Sequence, residues 1–406
     1  MPPVRILRLA AGGDGVGKLA DGRTVFVPRT APGDLVELEQ VRPAKRFARA
    51  RLRRLLEAAP ARVEPPCPHY TVDECGGCQL QHLGYQAQLE SRRGFVGDAL
   101  RRLARLDVTD PPIEPAEHAF GYRSRLTLAA QGGNIGLHRY GRPGAVFDLA
   151  RCPITADSLN ELWQSLRSRR ALLPAALEQL MLRRDRAGGN HVIARVAESR
   201  VWTRAPALAR DLSEAGTPAV LWWEPEGGAP RIVAGRAGGE APAGVFEQVH
   251  PAMADRARAF AVERLGSIGG RHVWDLYAGL GDITAALAGR GAQVTSVELD
   301  PRAVAHAERA GPPAARHAGA VEAIAPSLQA PDLVITNPPR TGMDRRVPEI
   351  LRARAPLRIV YMSCDAATLA RDLVRLAPAY RLTEARCFDF FPQTAHVETV
   401  AILERA

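Results

Sequence analysis

Cysteine is scarce in this chain, lysine is nearly absent, and no long apolar run occurs. No stretch approaches the roughly 18 apolar residues of a membrane-spanning helix, so no membrane partner is expected. The first residues, MPPVRILRLAAGGDG, lack the apolar segment and cleavage site of a secretory signal peptide. We therefore expect a cytoplasmic protein. In that compartment six cysteines in 406 residues predict no disulfide framework, and any local group of them indicates metal binding or catalysis.

The positive charge of the chain is carried almost entirely by arginine. The net charge of +10 favours a polyanionic partner such as RNA, although only Lys18 and Lys45 are lysines and an arginine bias also fits a GC-rich genome. Local clustering is therefore the better evidence. The stretch RPAKRFARARLRR, residues 42–54, contains seven cations, no acid and the single ring of Phe47. It is either a solvated strand or helix face, or a strip that follows phosphates and stacks a base.

Pattern and composition divide the chain into three regions, 1–58, 59–240 and 241–406. Short alternating strands between Gly and Pro turns predict a small OB-like β-barrel for the first region, a fold that often binds oligonucleotides. Its stretch GGDGVGKL resembles a phosphate-binding loop, but Leu19 replaces the Mg²⁺-binding Ser or Thr, which favours a glycine-rich turn between strands. The second region begins at a Pro-rich boundary near residue 60 and predicts an α+β domain.

The third region alternates strands and helices, which predicts a doubly wound α/β sheet with ligands at the carboxyl ends of its strands. The stretch DLYAGLGDIT places Gly279 and Gly281 in the turn after the first of these strands, and Glu298 ends the next one. Such an acidic residue accepts the ribose hydroxyls of a nucleoside cofactor. Thr284 stands where a dinucleotide-binding turn has its third glycine, so phosphate-free S-adenosylmethionine is the favoured ligand. A plain tight turn is the alternative.

Two further residues at strand ends are candidates for catalysis. In YMSCDAATL, Cys364 lies between a strand and a helix, where the positive end of the helix dipole is expected to lower the pKa of its thiol. In FDFFPQTAHVETV, Glu398 is a candidate base, and Phe391, Gln393 and His396 are expected to shape a pocket beside it. A structural thiol and a surface carboxylate are the alternatives.

These stretches occur together with FEQVHP, VELD and NPPRTGM, and in this order they resemble the bacterial S-adenosylmethionine-dependent RNA uracil-5-methyltransferases. The resemblance covers nearly the whole chain, and the first region is similar to a TRAM domain. It implies a Rossmann-like class I methyltransferase domain that forms 5-methyluridine in RNA. It also implies that Cys364 adds to C6 of uracil and that Glu398 then removes the C5 proton. The implied cofactor-binding residues are Gln248, Tyr277, the turn glycines Gly279 and Gly281, Asp282, Glu298 and Asn337.

Four positions depart from the usual residues of this family. Asn337 replaces an aspartate, so its contact must be a neutral hydrogen bond. The other three positions are asparagine in the family and are His250, Asp282 and Asp365 here. These changes motivate one alternative, a non-catalytic RNA-binding or ribosome-assembly factor that retains the fold.

The triplet NPP at 337–339 suggests a second alternative, an amino-methyltransferase. Those enzymes follow the triplet with a stacking aromatic, whereas Arg340 follows here, and Cys364 and Glu398 would then have no role. As to the RNA, the attached barrel favours 23S rRNA over tRNA, because the tRNA-specific bacterial members lack it. A monomer is expected.

The remaining cysteines form a separate pattern. Cys67, Cys75 and Cys78 come close together, and Cys152 precedes a proline farther along the chain, whereas Cys387 lies within a predicted strand and is interpreted as core. Spacing alone allows an iron–sulfur cluster, zinc or chance. The adjoining GGCQLQHL is similar to the 4Fe–4S site of several family members. The resemblance therefore implies a structural 4Fe–4S cluster that orders an RNA-gripping surface.

Overall fold

The computed structural model describes residues 2–198, 200–236, 245 and 247–406. The chain forms two compact units. The first comprises Met1–Gln88, Glu117–Ala243 and Pro392–Ala395, and the second comprises Leu89–Ala116, Gly244–Phe391 and His396–Ala406. The expected boundary at 240/241 and Phe246 of the FEQVHP stretch lie outside the described residues. Among the residues described, no helix combines the length and apolar character needed to cross a membrane.

The first unit begins with a closed five-stranded barrel in the order β1-β2-β3-β5-β4. Its strands are β1 Val4–Leu9, β2 Gly15–Lys18, β3 Thr24–Val27, β4 Leu35–Pro43 and β5 Phe47–Glu57. The small barrel expected from the sequence is therefore present. The glycine-rich stretch is not only a turn, because its second half forms β2. A Cβ at Gly17 would lie 2.5 Å from Cγ1 of Val4, so glycine allows the strands to approach there.

The rest of the first unit is built on a seven-stranded sheet in the order β13-β12-β11-β10-β7-β8-β9. Along the chain, the barrel is followed by α1 Pro68–Thr71, α2 Tyr85–Arg102 and β6 Ile113–Glu114, and then by the strands of this sheet. The sheet and its helices are β7 Arg125–Gln131, β8 Asn134–Arg139, β9 Arg142–Asp148, α3 Asp157–Arg167, β10 Leu177–Arg184, β11 Asn190–Val196, α4 Ala205–Glu214, β12 Val220–Pro225 and β13 Arg231–Ala234, with a 3₁₀ turn at Arg170–Leu172. Trp163 of α3 is fully buried in its core. The strands expected after residue 120 are confirmed.

The second unit contains an eight-stranded sheet in the order β16-β15-β14-β17-β18-β20-β19-β6. Its elements are α5 Pro251–Arg264, β14 His272–Leu276, α6 Asp282–Ala288, β15 Gln293–Glu298, α7 Pro301–Ala310, β16 Ala315–Ala318, α8 Val321–Ile324, β17 Leu333–Thr336, α9 Arg346–Arg354, β18 Arg358–Ser363, α10 Ala366–Leu376, β19 Tyr380–Phe388 and β20 Glu398–Arg405, with a 3₁₀ turn at Ala325–Ser327. The five strands β14 to β18 are parallel, and β20 is antiparallel to both β18 and β19. The α/β sheet expected from the sequence is confirmed, with one antiparallel strand, β20, that the pattern alone did not reveal.

Strand β6 and most of α2 come from early in the chain but belong to this second unit. Strand β6 pairs in parallel with β19, and Val96 and Leu100 of α2 pack into the core beside the sheet. No local pattern predicts this addition, because β6 has only two residues and its pairing is long-range.

Candidate active site

Cys364 and Glu398 meet because two antiparallel strands end at the same edge of the sheet. In the β18–β20 ladder Ser363 is opposite Thr399, and the same register continued by one residue places Cys364 opposite Glu398. The two side chains are close enough for the Glu398 charge to raise the pKa of the thiol. The structure therefore brings together the two residues that the sequence singled out for catalysis.

Both groups hold protons more tightly than usual. Burial and, to a smaller extent, the charge of Glu398 raise the pKa of Cys364 to about 11. Burial likewise raises the pKa of Glu398 to about 8, since its side chain is only 2% exposed. The expected lowering of the thiol pKa by the helix terminus is therefore wrong. The cause is that desolvation of the thiolate outweighs the dipole and the neighbouring cation.

That cation is Arg340, which the sequence analysis had not placed near the thiol. Its charge acts to lower the pKa of Cys364, and its Nη2 donates a 2.7 Å hydrogen bond to Nδ1 of His396. The ring of Phe391 meets His396 edge-on at 6.0 Å. Arg340 thus places a positive charge near the Cys364 thiol.

Of the three residues expected beside Glu398, Gln393 has a different role. Its Oε1 accepts a 2.9 Å hydrogen bond from Gln88, and its backbone N–H donates to Oε1 of Gln88 at 3.0 Å. Both residues are buried in the first unit. Gln393 therefore holds its own turn in place, while Phe391 and His396 lie in the second unit with Glu398.

A buried ion pair supports the segment that leads to Phe391. Arg92 of α2 and Asp389 are 2.9 Å apart, both side chains are fully buried, and Arg92 also donates to the carbonyl of Phe391. An unpaired charge there would be strongly destabilising, so this pair fixes the position of α2 relative to the segment. Sequence reasoning missed it because no local pattern connects residues nearly 300 positions apart.

The expected cofactor turn follows β14. Gly279 and Gly281 have φ angles of 56° and 84°, and a Cβ at Gly279 would meet no atom within 4 Å, so the turn faces open space. The backbone N–H of Gly279 donates to Oε2 of Glu298 at 2.8 Å, and that of Asp300 donates to Oε1 at 2.8 Å. A carboxylate has about four acceptor positions, so Glu298 is oriented and retains capacity for two ligand hydroxyls.

A third carboxylate near this turn was not identified from the sequence. Asp275 is buried at 1% exposure, and burial together with the charges of Glu298 and Asp282 raises its pKa to about 7. Thr284 donates a 2.6 Å hydrogen bond to it, which gives a role to the residue that replaces the third glycine. Crowded carboxylates favour a positively charged ligand, as a sulfonium is.

The remaining candidates lie at neighbouring strand ends. Tyr277 follows β14 in the left-handed region with φ 63°, and its N–H donates to the carbonyl of Val297 at 2.9 Å. Asn337 follows β17 and donates its backbone N–H to the carbonyl of Leu276 at 3.1 Å. Half-buried Gln248 lies just before α5.

Three of the four departures from the family have structural roles here. His250 caps α5, its Nδ1 accepting from the N–H of Met253 at 3.4 Å. Asp365 caps α10 by accepting from the N–H groups of residues 367 and 368. Asparagine is also a favourable N-cap, so these two changes preserve a function that either residue performs. Asp282 begins α6 and is 3.1 Å from Arg258 in an ion pair.

The four clustered cysteines line one cavity of about 360 Å³ in the first unit. All six cysteines of the chain carry free thiols, and Cys387 is fully buried in β19 as expected for a core residue. Within the described ranges, no group of three or more His, Cys, Asp or Glu side chains is arranged to hold a metal ion. The structure thus gathers Cys67, Cys75, Cys78 and Cys152 around a space, and metal binding there stays a prediction.

The parallel sheet, the glycine turn with its acidic partner and the reactive pair at the strand ends define a class I methyltransferase. The chain matches over 98% of its length the structure of Pyrococcus abyssi tRNA (uracil-54, C5)-methyltransferase, with TM-score 0.75, 24% identity and 99% of that chain covered. A family model described as tRNA (Uracil-5-)-methyltransferase matches residues 320–406.

Two relatives are similar to this chain over nearly its whole length. The chain is 32% identical to the 23S rRNA (uracil(1939)-C(5))-methyltransferase RlmD of Halomonas elongata, over 98% of this chain and 88% of that protein. It is 34% identical to an uncharacterized RNA methyltransferase of Nostoc, over 98% of this chain and 95% of that protein. The chain therefore belongs to the RNA (uracil-C5) methyltransferase family.

Proposed function

We propose that this protein uses S-adenosylmethionine to methylate C5 of a uridine in 23S rRNA. The observation that carries the proposal is the placement of Cys364 opposite Glu398 at the ligand-binding edge of a class I methyltransferase sheet. Kinship with the Halomonas elongata 23S rRNA enzyme supports the choice of RNA. The barrel does not decide it, because the Pyrococcus abyssi tRNA enzyme matches this fold over nearly the whole chain.

The proposed reaction uses Cys364 and Glu398 one after the other. Uracil C5 is a weak nucleophile, so the Cys364 thiolate first adds to C6. The electron pair of the C5–C6 double bond then moves into the ring carbonyl system, and the resulting enolate is nucleophilic at C5. When bound, S-adenosylmethionine supplies the methyl group that C5 takes up. The Glu398 carboxylate then removes the C5 proton, and the released electron pair re-forms the C5–C6 double bond and expels the thiolate. Arg340 favours the thiolate at both ends of this cycle.

The residues around the glycine turn fit the proposed cofactor. Glu298 offers two free acceptor positions for ribose hydroxyls, and the open space at Gly279 lets a ligand approach the backbone. The carboxyl groups of Asp275, Asp282 and Glu298 suit its positive charge. Asn337 at the end of β17 takes part through a neutral hydrogen bond, and Gln248 and Tyr277 complete the proposed set.

Methyl transfer to purified transcripts tests the choice of RNA. With labelled S-adenosylmethionine, we expect a 23S rRNA transcript to take up one methyl group at a single uridine, and bulk tRNA transcripts to react at least about 100-fold more slowly, a difference of about 2.7 kcal/mol in transition-state binding. Nucleoside mass spectrometry identifies the product as 5-methyluridine. Faster methylation of tRNA would contradict the 23S rRNA proposal while leaving the reaction in place.

We also propose that the four-cysteine cavity holds a 4Fe–4S cluster with a structural role. A single metal ion needs its ligands to converge on one point, whereas an iron–sulfur cluster needs thiolates set around a space. The cavity has that form, and N–H groups already point at its sulfurs: Gly77 donates to Sγ of Cys75 at 3.4 Å. Cys67 likewise receives backbone hydrogen bonds from residues 69 and 70. The cluster would tie the loop at 67–78 to Cys152.

The cluster proposal predicts a coloured protein. After anaerobic purification we expect a brown preparation containing iron and sulfide, and Cys75→Ser should lose the colour and unfold at a lower temperature, because the loop loses its anchor. Cys387→Ala is the control, since it removes a thiol of the second unit that does not line the cavity, and it should retain the iron. A colourless wild-type protein with stoichiometric zinc would overturn the iron–sulfur assignment.

A further inference from the structure

The first unit contains a second cavity, of about 420 Å³, formed by the outer face of the barrel and the loops at residues 74 and 140–142. We call it the barrel groove. Five arginines and only two carboxylates line it, which gives its walls a net charge of +3. The arginines are Arg29, Arg42, Arg49, Arg51 and Arg142. The basic stretch 42–54 thus lies on strands β4 and β5, and part of it faces a cavity of the size that binds small ligands.

Four of the five arginines of the groove fall into two kinds, and the fifth, Arg49, is 3.6 Å from Asp14 in an ion pair. Arg29 and Arg51 are committed to the protein, because Arg29 donates to the carbonyl of Cys75 at 3.1 Å and Arg51 pairs with Glu74. Arg42 and Arg142 are exposed, and no hydrogen bond or ion pair joins their side chains to the described part of the chain. Two cations held at the rim without carboxylate partners suit the phosphates of a nucleic acid.

Aromatic rings accompany these cations. Phe26 and Tyr140 both line the groove, the Arg49 guanidinium lies 5.9 Å from the Phe26 ring, and Phe47 meets that ring edge-on at 5.8 Å. The hydroxyl of Tyr140 donates a 2.8 Å hydrogen bond to Asp14, which fixes the orientation of its ring. Rings beside a cationic track are the usual platform for an unpaired base.

A backbone irregularity brings an amide to the same place. Gln40 is exposed, lines the groove and has a φ angle of 49°, which side chains other than glycine adopt at some energetic cost. It lies at a bulge, where the β4–β5 register shifts between Glu39 and Arg42. Bulges redirect side chains and are common at functional sites, and an amide offers both a donor and an acceptor to a base edge.

We propose that the barrel groove binds one unpaired nucleotide of the substrate RNA, separate from the uridine that is methylated. The base would stack on Tyr140 or Phe26 with its edge toward Gln40, and Arg42 and Arg142 would hold its flanking phosphates. This inference rests on the proposed function for the identity of the RNA, but not for the ability of the groove to bind a single strand. It assigns a purpose to the seven-cation stretch that charge alone left open.

The wall opposite the barrel depends on the cysteine loop. The carbonyl of Glu74 accepts the N–H of Tyr140 at 2.7 Å, and the next residue, Cys75, forms a bridge with Arg139. The loop that carries Cys75 therefore also positions the ring of Tyr140.

Binding of a short fluorescent single-stranded oligoribonucleotide, compared with a duplex of the same sequence, tests the proposal on the full-length protein. Tyr140→Ala should weaken single-strand binding about tenfold and leave duplex binding unchanged, because a paired base cannot enter the groove. Tyr140→Phe retains the ring but loses the hydrogen bond to Asp14, so it should bind the single strand more tightly than Tyr140→Ala does. Arg42→Ala should weaken single-strand binding and reduce its salt dependence by about 0.7 in logarithmic slope.

Arg53→Ala is the matched control, since Arg53 is exposed on β5 but does not line the groove. The proposal is overturned if Tyr140→Ala weakens the single strand and the duplex equally or weakens neither. It is also overturned if Arg42→Ala and Arg53→Ala weaken single-strand binding equally. This comparison decides the question if Tyr140→Ala does not fold. If the protein methylates 23S rRNA but gives either of these results, the proposed function stands and the proposal for the groove falls. One that binds as expected but transfers no methyl group keeps the groove and loses the proposed function.

Discussion

Replacing Cys364 with alanine is expected to reduce methyl transfer by about 10⁴-fold or more, the scale seen when a covalent nucleophile is removed. The reason is that C5 of uracil gains its nucleophilicity only when a thiolate occupies C6. RNA containing 5-fluorouracil provides a direct test. Fluorine at C5 leaves no proton for Glu398 to remove, so the wild-type protein should stay covalently joined to this RNA, and the adduct is visible in a denaturing gel.

Cys387→Ala is the matched control for this experiment, because Cys387 is fully buried in the same sheet but lies outside the site. It should form the adduct at the wild-type rate. The assignment of Cys364 is wrong if Cys364→Ala still yields a covalent complex. Unchanged thermal unfolding of Cys364→Ala would show that any loss is chemical.

Glu398→Gln is expected to separate the two halves of the reaction. The amide keeps the shape of the side chain but cannot take the C5 proton, so turnover should fall by about 10²–10⁴-fold. Cys364 can still add to C6, and a methylated RNA–protein adduct should accumulate with ordinary uridine. Mass spectrometry of the digested adduct shows whether the methyl group is present. A variant that turns over normally would remove Glu398 from the mechanism.

The raised pKa of Glu398 gives the wild-type protein a pH-dependent stability that Glu398→Gln lacks. The pKa is about 8 in the folded protein and near 4.5 when exposed, so the folded state favours the protonated carboxyl group. That contribution is complete below pH 4.5 and is lost as the pH rises through 8. Glutamine stays neutral throughout, so Glu398→Gln should match the wild type at pH 4 and exceed its stability at pH 9. The expected difference is on the order of 5 kcal/mol, measured by thermal unfolding at each pH.

The turnover of the wild type should depend on pH in the opposite direction to its stability. Only the carboxylate form of Glu398 acts as a base, so activity should increase as the pH rises from 6 toward 8, where stability falls. Stability and function thus make conflicting demands on this one group, a common property of active-site residues. The site accepts the desolvation of a buried acid because a base with a pKa near the working pH transfers protons efficiently.

Local patterns predicted most of the parts of this molecule. The strand–turn–helix units of 272–310, the turn glycines, Glu298 and both reactive residues could be identified because each lies at the end of a periodic segment. The structure added groups whose contacts are long-range in sequence. Arg340 approaches Cys364, and Arg92 pairs with Asp389, through packing that no spacing rule describes.

Some expectations failed for a physical reason that the structure makes clear. A helix terminus alone suggested a low thiol pKa, yet burial beside a second acidic group reverses the direction for Cys364. Gln393 looked like part of a catalytic pocket but bonds to Gln88 instead. Two apparent defects, His250 and Asp365, are helix caps, a role that depends only on a side-chain acceptor at the right position.

The sequence by itself determined the kinds of chemistry available: a thiol, a carboxyl group, a glycine turn with its acidic partner, and a strip of arginine. Residue types and their spacing are local properties, so they can be recognised without a fold. Only the tertiary structure decided which of these groups meet and in what protonation state. Strand register places Cys364 opposite Glu398, burial sets their pKa values, and the barrel brings Arg42, Arg49 and Tyr140 around one groove. Register and desolvation arise from packing between distant segments, and no local stretch of sequence contains them.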